Sequence, residues 1–294
     1  MHPCSIVAQC WVSPLRFQVS LLTKVTNTSG VRLVGGKLDV MIAAPAANHS
    51  FSVLRATPSP RIEKKSEGNT HAITRIPELN TEQTFESRAV IEYTVAAKSF
   101  QLDQAIGPLS LEHSTNELCK HAKFWETKDP LIRRTADKIR RSSDNTGTFL
   151  SNAYSWVRDN VKLREPQQIR LGAAHTIRAL SGDCDELSDL FIALCRSVGI
   201  PSRRVVGVFY HGRESEGRPF EWHAWSEASP VDNAWIPFDP SLGFFANISE
   251  RHIARCCIGR QSDYPIRRVT WRSQPEKPPT LNDDDIENIV ALSS

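Results

Sequence analysis

One apolar stripe in this chain is regular enough to predict a long helix, and a cysteine stands where that helix would begin. After the stretch SGDCDELSDLF, apolar residues recur at intervals of three and four, the spacing of one helix face: Leu187, Leu190, Phe191, Leu194, Cys195 and Val198. Gly199 and Pro201 follow, and this pair is typical of a helix end. The pattern therefore predicts a helix from about Cys184 to about Val198.

The position of Cys184 raises a chemical question, because carboxylates surround it. The N–H groups at a helix start favour a thiolate by about 1 kcal/mol. Asp183, Asp185 and Glu186 would oppose ionisation if they faced the sulfur, or they could cap the helix instead. An ordinary thiol, with a pKa of about 8.5, is mostly protonated at neutral pH. A nucleophilic role for Cys184 therefore requires a separate base.

A histidine and an aspartate further along the chain supply candidates for such a system. His223 lies in the strand-like run EWHAW, 39 residues after the cysteine (223 − 184), and Asp239 ends the next run 16 residues later (239 − 223). Antiparallel pairing of the two runs would place Asp239 beside His223. The carboxylate would fix the imidazole tautomer, and the other ring nitrogen would take the thiol proton.

These residues also carry a resemblance to a known family. The blocks ALSGDCDE, WHAWSE and WIPFDPS resemble the core of the transglutaminase-like superfamily in order and spacing, and weaker similarity runs from Phe17 to Trp271. The resemblance implies a papain-like α+β domain whose catalytic triad is Cys184, His223 and Asp239. One departure is Ser241, which stands where the family often has threonine.

The chain of 294 residues suits two domains. Short alternating runs separated by turn signals predict an N-terminal β-sandwich over residues 1–108. Residues 109–272 are expected to form the α+β transglutaminase-like catalytic domain, with helices packed on an antiparallel sheet. Residues 273–294 are Pro-rich and then acidic, and we expect them to form a loosely docked tail.

The net charge and the composition limit the classes of partner and cofactor that we expect this chain to bind. A net charge of +3 with both signs spread along the chain gives no support for a nucleic-acid or membrane surface. The start shows no signal-peptide pattern, and no apolar run is long enough to span a bilayer, so a cytoplasmic location is expected. Seven cysteines without CxxC spacing argue against a disulfide framework or structural zinc. Cys256 and Cys257, with His252 nearby, lack a second ligand pair, so neither metal nor cofactor is expected. The oligomeric state is left open.

The sequence thus predicts a thiol enzyme that attacks a peptide, protein or other acyl or amide substrate and forms a thioester. Hydrolysis is the favoured outcome. Resolution by an amine, as in an acyltransferase or cross-linking enzyme, is the alternative, and a non-catalytic interaction module is a third. The backbone N–H of Cys184 is the first candidate oxyanion donor, with Tyr154 or Trp156 as seconds. Three tryptophans are candidates for substrate binding, or equally for sheet core: Trp222, Trp225 and Trp235.

Overall fold

The computed structural model describes ten stretches of the chain: residues 8–9, 13–46, 48–102, 116–167, 169–212, 219–231, 234–260, 265–273, 275–282 and 285–292. Helices and antiparallel strands occur together, so the predicted mixed architecture is confirmed. The predicted domain boundary at residue 108 lies outside the described residues.

The described residues in the middle of the chain form four α-helices: α1 (Pro130–Arg141), α2 (Thr146–Asn160), α3 (Ala173–Ala179) and α4 (Cys184–Ser197). Side-chain caps explain where the first two begin, since Asp129 accepts a hydrogen bond from the backbone of Leu131 and Asn145 accepts one from Thr148. Two short 3₁₀ helices span Ser66–Gly68 and Glu117–Cys119. None of the helices in the described stretches combines the length and apolar composition that a bilayer crossing needs.

The helix predicted from the apolar stripe is confirmed as α4, and it packs against an antiparallel sheet. The strands of that part of the chain are β9 (Lys162–Leu163), β10 (Ser181–Gly182), β11 (Ser202–Tyr210), β12 (Phe220–Val231), β13 (Ala234–Asp239), β14 (Phe244–Phe245), β15 (Asn247–Ile248) and β16 (His252–Ile258). Five of them form the sheet in the order β14-β13-β12-β11-β16. Leu190 and Phe191 of α4 share a core with Phe238 of β13, whose ring lies 4.9 Å from that of Phe191.

Most of the first hundred residues form antiparallel strands. They are β1 (Ala8–Gln9), β2 (Leu15–Thr26), β3 (Gly36–Ala43), β4 (His49–Thr57), β5 (Arg61–Lys64), β6 (Thr70–Ile76), β7 (Thr84–Val95) and β8 (Lys98–Phe100). Strands β3, β6 and β5 lie in one sheet, and β2, β7 and β4 lie in another. Side chains from both sheets enter one hydrophobic cluster, to which Val208, Tyr210 and Phe220 of the helix-backed sheet also contribute.

The expectation that the residues after about Ser273 form a loosely docked tail is wrong for the residues described. The described residues after Ile258 form three more strands: β17 (Arg267–Thr270), β18 (Thr280–Leu281) and β19 (Ile286–Leu292). β17 pairs with β3, whereas β18 and β19 both pair with β2. Ile286 and Ile289 are buried in the same hydrophobic cluster as the two N-terminal sheets. Backbone pairing and apolar burial therefore fix this end of the chain.

A buried ion pair joins the end of the chain to the helix-backed sheet. Asp285 precedes β19, and its two carboxylate oxygens accept hydrogen bonds from the two terminal nitrogens of Arg255 on β16. The side chain of Arg255 is 4% exposed and that of Asp285 is 2% exposed, so neither charge is solvated. The Nε of Arg255 also donates to the carbonyl of Met41 at 3.2 Å. β16 thus contacts both the first and the last parts of the fold through one side chain.

The Arg255–Asp285 pair predicts how the free energy of unfolding changes when one of its two charges is removed. Asp285→Asn leaves Arg255 buried without its counter-ion, and breaking such a pair costs about 3–5 kcal/mol. The matched control is Glu287→Gln, because Glu287 forms an exposed pair with Arg88, and exposed pairs contribute about 1 kcal/mol or less. The free energy of unfolding, measured by denaturant titration, should fall much more in the first variant than in the second. Equal losses would contradict this role for the buried pair.

Candidate active site

The start of α4 is built by a glycine and a reciprocal pair of acidic side chains. Asp183 caps the helix by accepting from the backbone of Asp185 at 2.9 Å, while Glu186 accepts from the backbone of Asp183 at 3.2 Å. Gly182 is required here, since a Cβ at this position would lie 2.4 Å from the Cβ of Glu186. Burial, with the adjacent Asp183, raises the pKa of Glu186 to about 7. The interpretation of these carboxylates as helix caps is confirmed.

The other two carboxylates near Cys184 are engaged by arginines. Asp185 pairs with Arg204, and although burial favours its neutral form, the nearby guanidinium groups hold its pKa below the ordinary value. Asp189 is fully buried and accepts from Arg170 Nε at 2.7 Å and from the indole of Trp125 at 2.8 Å. Cations therefore compensate two of the negative charges that would otherwise disfavour a thiolate at Cys184.

The structure brings His223 and Asp239 together. Ser226 of β12 is the cross-strand partner of Phe238 of β13, and this register places the two site residues within reach of each other. His223 Nε2 lies 2.7 Å from Asp239 Oδ2, and both residues are at most 5% exposed. A carboxylate oxygen at this distance can only accept, so Nε2 carries the proton.

Cys184 completes the row from the helix side, because its thiol interacts with the imidazole of His223 and raises the pKa of that ring. With Nε2 directed at the carboxylate, Nδ1 is the ring nitrogen left for the sulfur. Burial alone would lower the pKa of His223, but the charge of Asp239, the hydrogen bond that His223 donates to it and the interaction with Cys184 raise that pKa to about 10. Burial likewise opposes ionisation of Asp239, yet His223 and His252 hold its pKa well below the usual range. The surroundings therefore favour an imidazolium at His223.

Both oxygens of Asp239 are saturated with donors. Oδ1 accepts from the backbone and hydroxyl of Ser241 at 3.0 and 2.6 Å and from the backbone of Leu242 at 3.1 Å. Ser241 thus supplies a hydroxyl where the resembled family often has threonine. Oδ2 accepts from His223 and lies 3.2 Å from Nε2 of His252. Sequence reasoning treated His252 only as a neighbour of two cysteines and missed this contact.

The three tryptophans proposed for substrate binding have different surroundings. Trp225 is fully buried and stacks beside His223, with ring centroids 6.1 Å apart. For Trp225 the substrate-binding prediction is therefore wrong, because no ligand reaches a side chain without exposed surface. Trp222 and Trp235 are half-buried and lie under different arginines, Arg255 and Arg203. These two do not form one continuous lining, and a role for either in substrate binding stays a prediction.

Two groups of side chains place potential metal ligands within 4.8 Å of one another: His223, Asp239 and His252, and separately Asp183, Cys184 and Asp185. The first group is already joined by hydrogen bonds between imidazole nitrogens and one carboxylate oxygen. A cation there would have to displace the ring protons that make those bonds.

The other described cysteines differ from Cys184 in their surroundings. Cys256 and Cys257 are buried in separate hydrophobic clusters, so adjacent positions in sequence do not make them a ligand pair. Burial raises the pKa of Cys256 to about 11 and that of Cys195 further still. Cys119, like Cys184, is half-buried.

The fold and the cysteine–histidine–aspartate row define a mixed α/β protein with a candidate thiol site. Residues 133–240 match the sequence model of the Transglutaminase-like superfamily core. This match confirms, over that segment, the resemblance predicted from the sequence.

Two further comparisons concern most of the chain. The structure resembles that of a proposed cysteine protease from Cytophaga hutchinsonii, with a TM-score of 0.66 and 16% identity over 98% of this chain and 94% of that one. This likeness shows a shared fold. YebA of Bacillus subtilis (strain 168), described as uncharacterized, is 25% identical over 209 residues. The match covers 64% of this chain and 28% of YebA, so the chain spans less than a third of that relative.

The site geometry predicts that the thiols react at different rates. We expect iodoacetamide to alkylate Cys184 far faster than Cys119, which is similarly half-buried, because the thiol of Cys184 interacts with the imidazole of His223. In His223→Ala the alkylation of Cys184 at neutral pH should slow by about tenfold or more, since an ordinary thiol is then only a few per cent ionised. Peptide mapping by mass spectrometry after timed labelling measures both rates. Similar rates at the two cysteines in the unmodified protein would contradict the predicted activation.

Proposed function

We propose that this chain is a cysteine enzyme that cleaves an amide or other acyl bond through a thioester, with Cys184 as nucleophile, His223 as general base and acid, and Asp239 as the group that orients the imidazole. The observation that carries the proposal is a buried imidazole that lies 2.7 Å from a buried carboxylate and that also interacts with the thiol of the half-buried Cys184. This is the arrangement that nucleophilic thiol catalysis requires.

The steps follow from the positions of the protons. In the resting thiolate–imidazolium pair the Cys184 proton already lies on Nδ1 of His223, and the thiolate attacks the carbonyl carbon while the π electrons of the carbonyl bond move to oxygen. The tetrahedral intermediate collapses, the C–N bond breaks, and the imidazolium gives its proton to the leaving amine. Water then loses a proton to His223 and attacks the thioester, which releases the acid and regenerates the thiol.

The developing oxyanion needs a donor near the sulfur. The backbone N–H of Cys184 opens α4, where the first N–H groups have no intrahelical acceptor. Tyr154 is a second candidate, because its hydroxyl is buried without a partner among the described residues. Trp156 packs against the hydrophobic cluster that contains α4, which favours a structural role for it.

Hydrolysis is the outcome we favour, because Cys184 is half-buried rather than sealed inside the core. Transfer to an amine requires a site that keeps water out while the thioester persists. The two N-terminal sheets, which we interpret as the β-sandwich expected from the sequence, would serve to position a peptide or protein partner. Side chains of these two sheets share one apolar cluster with Tyr210 and Phe220 of the helix-backed sheet. This cluster supports a fixed placement of the two sheets beside the helix-backed sheet.

A glutamine-containing peptide tests the proposed chemistry and its outcome. Incubation with and without a primary amine, followed by mass spectrometry, separates glutamate formation, amine addition and shorter peptides. We expect glutamate or shorter peptides, with a rate reduced by more than about 1000-fold in Cys184→Ala.

Cys119→Ala is the matched control and should keep full activity. If amine adducts are the main product, the reaction is acyl transfer rather than hydrolysis. Activity that survives in Cys184→Ala would remove the thiol mechanism altogether. A full biological role in that variant without any turnover would favour an interaction module.

A further inference from the structure

His252 is a buried polar residue that contacts the row of three and that the proposed mechanism does not use. It begins β16, is fully buried, and has both ring nitrogens in contact with oxygen. Nε2 lies 3.2 Å from Oδ2 of Asp239, and Nδ1 lies 2.8 Å from the hydroxyl of Ser249. A neutral imidazole has one donor and one acceptor, and both are used here.

The partners decide where the proton sits. The carboxylate of Asp239 is ionised and only accepts, so Nε2 of His252 must donate to it, and Nδ1 accepts from the Ser249 hydroxyl. Burial lowers the pKa of His252, although the Asp239 charge opposes this, so the ring is neutral at neutral pH. Oδ2 of Asp239 therefore receives two N–H donors, one from the proposed catalytic imidazole and one from this second ring.

A glycine in the strand between them allows the two imidazoles to approach. β11 separates β12 from β16, and its Gly207 is the cross-strand partner of both His223 and Ala254. A Cβ at Gly207 would lie 2.0 Å from the carbonyl oxygen of Ile253, so only glycine permits this approach of β16. The ring centroids of His223 and His252 are 5.8 Å apart.

We propose that His252 is a positioning residue whose Nε2–H, oriented by Ser249, holds the Asp239 carboxylate in line with His223. This inference rests on the proposed function of the row. The competing explanation is packing, since His252 is also surrounded by the rings of Phe209, Trp225 and Phe244 at 4.9–5.2 Å. Hydrogen bonding and packing predict opposite rankings for two substitutions.

The comparison is between His252→Gln and His252→Phe. Glutamine can present an amide N–H close to the position of Nε2, whereas phenylalanine keeps the ring and removes the donor. If the hydrogen bond matters, Cys184 alkylation and peptide turnover should stay within about threefold of the original rates in the glutamine variant. They should fall by about tenfold or more in the phenylalanine variant. The proton NMR signal of His223 Nε2–H, read in both variants, should shift in the phenylalanine variant only.

Thermal unfolding of both variants shows whether each still folds, and an unfolded glutamine variant would count against the inference. Equal rates in the two variants, or faster reaction with phenylalanine, would overturn the positioning role. The alkylation rate is measured without a substrate, so a failure of the proposed reaction can be distinguished from a failure of the positioning role. Absence of any product together with the expected ranking in alkylation would reject the reaction and keep the role of His252.

A second inference rests on a different part of the molecule, a cleft of about 720 Å³ at one end of the sheet that contains β3, β5, β6 and β17. Its charged lining consists of Lys37, Arg61, Arg75 and Arg272, and no carboxylate from the described residues lines it. Lys37 and Arg75 are direct cross-strand partners. Arg272 lies over Gly35, where a Cβ would be 2.8 Å from its Cδ.

Like charges placed opposite each other destabilise a sheet unless an anion lies between them. Of the four cations, Arg61 has a counter-ion in Glu63, 2.6 Å away. Guanidinium groups match phosphate oxygens with two parallel hydrogen bonds, and three of the four lining cations are arginines. We propose that this cleft binds a ligand that carries two or more phosphate groups.

Calorimetric titration with inorganic tripolyphosphate tests this site. We expect binding that weakens by about tenfold or more in Arg75→Gln and does not change in Arg134→Gln, which removes an exposed cation of α1. Vesicles with and without a phosphorylated phosphoinositide, used in parallel, distinguish a lipid headgroup from a free polyphosphate. A hexaglutamate peptide that binds as tightly as tripolyphosphate would overturn the phosphate assignment. Equal losses in the two variants, or binding to neither phosphate source, would overturn the site.

Discussion

The buried pair of His223 and Asp239 is the interaction on which the rest of the site depends. Burial works against both charges, because it raises the pKa of a carboxyl group and lowers that of an imidazole. The pair persists because the two charges lie 2.7 Å apart and because Asp239 accepts further hydrogen bonds on both oxygens. A charge pair of this kind is stable only where the surrounding backbone and side chains supply those bonds. The strand ends and the turn after Asp239 are therefore part of the site.

The same reasoning resolves the position of a cysteine among carboxylates. The carboxylates of Asp183 and Glu186 accept hydrogen bonds from backbone N–H groups at the start of α4. Those of Asp185 and Asp189 are paired with arginines. The acidic side chains hold the start of the helix in place, and in the proposed mechanism the imidazole balances the charge of the sulfur. Structural and chemical roles are divided between neighbouring residues of one short segment.

Local patterns in the sequence were sufficient for α4 and for the strands that carry His223 and Asp239. Apolar residues at helical spacing, followed by Gly199, fixed the helix, and the short connection between two strand-like runs placed the carboxylate beside the ring. His252 could not be found this way, because its contact with Asp239 depends on β16 pairing with β11, an arrangement that is not sequential. The polar and Pro-rich composition of the last residues concealed β19, whose partner β2 lies near the other end of the chain.

The match to the superfamily core ends at residue 240, yet the geometry of the site extends beyond it. Ser241, Ser249 and His252 bind Asp239 directly or through one another, and all three follow the matched segment. Three residues after His252, the same strand carries Arg255, which is held by Asp285 and by the backbone of β3. The position of β16, and with it the donor on Asp239, is thus tied to strands that belong to the N-terminal sheets. A change in the anchoring of β16 should therefore move the donor on Asp239 even where the cysteine, histidine and aspartate themselves are unchanged.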